Sequence, residues 1–143
     1  MRWATRAGCH VDRAACACLL RRFVDLDPEI VFVEDPADVP SGAEPFDMRG
    51  AALSHHQDDC SFETMLAHFG LHDPVLWDVA RIVHEADLAD ERYEAPEAAG
   101  LDIICRGLTM TLTDHDVLAV TGPMFDGLYE VQRRALLAGH NPS

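Results

Sequence analysis

Four consecutive residues, Ile30-Val31-Phe32-Val33, do more than any other stretch to limit how this chain folds. A short, continuous run of β-branched and aromatic residues between turn signals reads as a strand. Upstream, Ala15, Cys16, Leu19, Leu20 and Phe23 recur at helical spacing, so residues 12–25 read as an amphipathic helix. Asp27-Pro28 ends that helix, because proline disfavours a helical predecessor. A shorter strand candidate over residues 2–5, opening with Trp3, stands in front of it. Strand, helix and strand in that order predict a parallel pair joined by a right-handed crossover.

The remainder alternates loops with helical patterns. Residues 46–48 and 51–53 read as short strands around Arg49-Gly50. Ser61 caps a helix whose apolar face is Phe62, Met65, Leu66 and Phe69, ending at Gly70. Asp73-Pro74 opens a helix toward Asp90, and Pro96 opens one toward Leu112. Asp114 caps a last helix toward Leu137, which Gly122-Pro123 should kink or break. The expected class is therefore α+β: a small sheet with a β-α-β crossover followed by a layer of about four helices. Its length fits one domain over residues 1–143.

Charge narrows the partners. Twenty-five acids against 11 bases give a formal net charge of −14, a field that repels phosphate backbones, so nucleic acid is not expected to bind this chain alone. All 11 bases are arginine, the residue suited to bidentate contacts with oxyanions or to buried ion pairs. Five cysteines without a small-scaffold spacing fit reduced thiols, and the opening residues hold no apolar run like an export signal. No stretch approaches the roughly 18 consecutive apolar residues of a membrane span. A cytoplasmic location is expected.

Three groups of residues could carry chemistry. The first is the loop from Ser54 to Glu63, holding His55, His56, Asp58, Asp59, Cys60 and Glu63 where it enters a helix. Cys60 lies just before that helix N-terminus, a place that lowers a thiol pKa. The second is the helix stripe Trp77, Ala80, His84, Asp87, whose spacing points His84 and Asp87 the same way. With His55, they form a His–carboxylate set suited to zinc, iron or manganese, and Glu63 could serve as general base. The alternative is a partly buried histidine paired with aspartate for structure alone. The third is Arg6, Asp12 and Arg13, where a helix N-terminus beside two guanidinium groups would favour an oxyanion. Here the alternative is that Asp12 neutralises Arg13 in a buried ion pair.

Several motifs, in order, are shared with one family. Trp3-Ala4-Thr5-Arg6, Val11-Asp12-Arg13-Ala14-Ala15-Cys16, Pro45-Phe46-Asp47, Ser54-His55, Cys60-Ser61-Phe62-Glu63, Ile82-Val83-His84-Glu85-Ala86-Asp87 and Phe125-Asp126-Gly127-Leu128-Tyr129 resemble the C-terminal domain of the chromate resistance protein ChrB family. The resemblance implies a part in bacterial chromate resistance, a stress response. It begins at Trp3, so the DNA-binding half of full-length relatives is not carried over. His55, Cys60, Glu63, His84 and Asp87 all fit the family pattern. Departures fall at Ala17-Cys18, where the family has Pro-Trp, and at Gln57 and Asp59, where it has Gly and Arg. Three roles follow as expectations: a module binding a metal ion or small oxyanion, a metal-dependent enzyme, or an interaction domain. Any of them could act as a homo-oligomer.

Overall fold

The structure is a computed structural model that describes residues 1–139. Three parallel strands form the sheet in the order β2-β1-β3, with β1 at Arg2–Arg6, β2 at Glu29–Val33 and β3 at Glu44–Pro45. Trp3 pairs with Ile30 and with Glu44, placing β1 centrally. This is the parallel pair that the run at residues 30–33 predicts. Residues 46–48 and 51–53, expected as strands, make only an isolated bridge between Phe46 and Leu53. The intervening Asp47 and Gly50 both take left-handed backbone, which turns the chain instead of extending it.

The crossover helix α1 covers Val11–Leu19 and continues as a wider π-helical turn over Leu20–Val24. Seven of its nine residues are buried, including Ala14, Ala15, Cys16 and Ala17. A helix buried nearly all round belongs at the centre of a domain, and its small side chains let neighbours approach closely. Those neighbours are α2 (Ser61–His68), α3 (Pro74–Leu88), α4 (Ala98–Thr111) and α5 (Asp114–Leu137). Phe46, Leu20, Leu53, Met65, Leu66 and Ile82 are fully enclosed between them. Each such side chain contributes about 1.5–3 kcal/mol through removal from water.

Helix α5 runs unbroken through Pro123. Both Pro123 and Ala119, whose carbonyl loses its helical donor there, are solvent-exposed, so water can satisfy that oxygen. Asp73 caps α3 by accepting from the Val75 amide, with Pro74 in the first turn as expected. Among the described residues no helix is long and apolar enough to cross a membrane.

Candidate metal centre

The polar residues of interest gather beyond the carboxyl ends of β1 and β3, where parallel sheets commonly bind ligands. Asp12 begins α1, Asp47 follows β3, His55 lies on the loop after Leu53, and Asp87 reaches in from the last turn of α3. His55 Nε2 lies 3.0 Å from Asp12 Oδ2, 3.0 Å from Asp87 Oδ2 and 4.0 Å from Asp47 Oδ1. One imidazole nitrogen thus faces three carboxylates. It carries at most one proton to donate. The Asp12 contact is a hydrogen bond, while Asp87 Oδ2 is buried without a hydrogen-bond partner.

Asp12 is the hub. Its carboxylate accepts the Ser61 amide at 2.9 Å and the Phe62 amide at 3.0 Å, besides the His55 contact. An aspartate from α1 therefore satisfies the first N–H groups of α2. Asp47 accepts the Ser61 hydroxyl at 2.6 Å and pairs with Arg13 Nε at 3.0 Å. Burial first, then the charge of Asp12, raises both the Asp47 and the Asp87 carboxyls from 3.8 to about 6. Hydrogen bonding to Asp12 leads the causes that lift His55 to about 9. The centre holds more negative charge than one imidazole neutralises.

His84 belongs to a second, adjoining cluster. It is fully buried, with Nδ1 2.5 Å from Glu63 Oε1 and Nε2 3.0 Å from both oxygens of Asp90. Glu63 Oε1 also accepts the Cys60 amide, and Oε2 accepts the Tyr93 hydroxyl. The structure thus brings His55 and Asp87 together with Asp12, and places His84 with Glu63, Cys60 and Asp90. His84 and Asp87 share the helix stripe their spacing predicts but serve different neighbours. Trp77 on that stripe is 40% exposed.

Other expectations require correction. Cys60 precedes α2, yet burial, followed by the negative charge of Asp12, pushes its thiol well above the usual range. The helix N-terminus that would stabilise a thiolate already holds the Asp12 carboxylate. Nor do Arg6, Asp12 and Arg13 assemble around one anion. Arg13 donates to the Gly8 and Asp47 carbonyls and pairs with Asp47 rather than Asp12, while Arg6 is exposed at the end of β1. The amides of Gly8 and Cys9, just ahead of α1, are taken by the Asp114 carboxylate. Glu63, proposed as a base, has both oxygens engaged.

Sequence reasoning gave no site role to Asp47, Asp90 or Tyr93, and took Asp114 as the cap of the last helix, a role that Thr113 fills. Asp47 closes the shared Pro45-Phe46-Asp47 motif and could have been found there. Backbone geometry marks the same region. The non-glycine residues with positive φ among those described are Asp47, Gln57, Ala89 and Glu91. Gln57 lies two residues beyond His55, and Ala89 and Glu91 flank Asp90. Left-handed backbone costs about 1–2 kcal/mol per residue, and such strain concentrates at functional sites.

Comparison with known proteins agrees with the sequence motifs. The family described as ChrB, C-terminal domain, matches residues 3–132. Protein ChrB of Cupriavidus metallidurans is 37% identical over 129 residues, which cover 89% of this chain. The match spans 39% of that protein's length. No solved structure shows a significant match.

Proposed function

We propose that this chain, which belongs to the ChrB C-terminal domain family, is the ligand-binding module of a chromate-resistance system and holds a divalent metal between Asp12, His55 and Asp87. The observation that carries this reading is the orphaned Asp87 Oδ2, buried 3.0 Å from an imidazole nitrogen whose proton serves Asp12. A cation placed among these three side chains would give each carboxylate a partner and relieve their mutual repulsion. One imidazole nitrogen with carboxylate oxygens suits zinc, iron or manganese, and three protein ligands leave a position open for an exogenous ligand. A groove lined by Asp47, Met48, Arg49, Gly50, Ser54 and His55 leads to the site. The exposed Arg49 guanidinium on that groove favours a small oxyanion, such as chromate, as the exogenous ligand.

The enzyme reading has less support. Glu63 is committed to Cys60, His84 and Tyr93, and Cys60 is a buried thiol, so neither is free to act at His55. Elemental analysis of protein purified without affinity-tag metals, paired with titration of zinc and manganese, tests the metal site. Wild type should hold about one equivalent, and His55→Ala, its fold checked by circular dichroism in chelator, should lose it. Equal affinity in the two proteins would refute the site.

A further inference from the structure

Helix α4 raises a different question, independent of the metal centre. Among its fourteen residues only Ala98 and Cys105 are buried. Its outward stripe consists of Ala99, Gly100, Ile103, Gly107 and Met110, all exposed. Ile103 is 69% and Met110 81% exposed, with Ile104 at 54% beside them. An outward-facing helix in an acidic chain should be polar. This one is not.

The glycines sharpen the point. Neither Gly100 nor Gly107 has left-handed backbone, and a β-carbon added at either would meet nothing within 4 Å. Inside a helix glycine is destabilising relative to alanine. Nothing among the described residues calls for glycine at these places, whereas close approach of another helix would.

We propose that α4 is the contact surface of a weak twofold homodimer, its partner the same helix of a second copy in antiparallel orientation. When the twofold axis passes by position 105, Ile103 of each copy falls opposite Gly107 of the other. Met110 likewise falls opposite Gly100. Large side chains thereby meet glycine hollows, and each contact occurs twice, as an isologous interface requires. Charge permits the same partner at this face. The chain carries a net charge of −14, so two copies repel across most of their surfaces. The α4 stripe holds no acidic residue, and the neighbouring Asp102 is already paired with Arg106. It is a face on which two acidic chains can meet. One helical stripe is smaller than the roughly 800 Å² per copy of a standard interface, so association is concentration-dependent rather than obligate.

Sedimentation velocity over a range of chain concentrations provides the test. Wild type should pass from one copy to two as concentration rises, and added salt should favour the pair by screening repulsion. Gly107→Leu should remain a single copy throughout while its thermal midpoint stays level or rises, because the added side chain enters open space in the monomer. Wild type that stays monomeric at every concentration would overturn the proposal. So would undiminished pairing in Gly107→Leu, which would locate the interface elsewhere. Neither result bears on metal binding at His55.

Discussion

Replacing Asp87 by asparagine separates a binding role from a structural one, because the two roles predict opposite signs. Burial, and then the charges of Asp12 and Asp47, raise the Asp87 carboxyl from 3.8 to about 6 even with His55 at 3.0 Å. A rise of that size corresponds to about 3 kcal/mol of penalty for the charged form above pH 6. Asparagine resembles the protonated acid, so the Asp87→Asn substitution should recover much of that penalty. Imperfect placement of the new amide offsets part of the gain, leaving about 1–2 kcal/mol of added stability in the metal-free chain. The thermal midpoint in chelator at neutral pH should rise by roughly 3–8 °C. Adding zinc or manganese should reverse the order. At a hundredfold excess over Kd, wild type should gain about 2.7 kcal/mol, whereas the variant should gain little. A variant less stable than wild type in chelator would refute the reasoning, since Asp87 would then be holding His55 for the fold alone.

Asp12→Ala should be severe, costing about 3–5 kcal/mol in urea unfolding, because it strands the Ser61 and Phe62 amides and His55 together. A cost below about 1 kcal/mol would show that Asp12 is not the hub. The pH dependence of the metal-free chain has a definite sign. Asp47 and Asp87 are raised to about 6, and their contribution is complete below 3.8 and lost as pH rises to 6; that of His55 is complete below 6.5 and lost by about 9. Urea midpoints in chelator should therefore fall across that window, and saturating metal should oppose the fall, since its ligands bind deprotonated. Alkylation at mildly alkaline pH should leave Cys60 unmodified in the native chain and label it in urea, since its thiol is buried and its pKa raised; rapid native labelling would contradict its burial.

Much of the fold follows from local pattern. The run at residues 30–33, the apolar stripe of α1 and the Asp73-Pro74 signal mark their elements because strand and helix periodicity and capping are properties of neighbouring residues; the caps read at Ser61 and Asp114 instead fall one residue earlier, on Cys60 and Thr113. The family motifs likewise identify His55, Cys60, Glu63, His84 and Asp87 as a set worth attention. How those residues are grouped is not a local property. His84 and Asp87 lie one turn apart, yet packing turns one toward Glu63 and Asp90 and the other toward His55. Asp12 reads in sequence as the first residue of the helix over 12–25, beside Arg13, and only the packing of α1 against α2 makes its carboxylate the partner of the first amides of α2. Tertiary packing also reverses the expectation for Cys60: burial and then the charge of Asp12, 49 residues upstream of Ser61, outweigh what the Glu63 amide at the helix N-terminus offers a thiolate. Sequence determined which groups are present and which elements carry them. Tertiary structure decided which charges meet, because the energy of a buried charge depends on its neighbours in space and on the water they exclude.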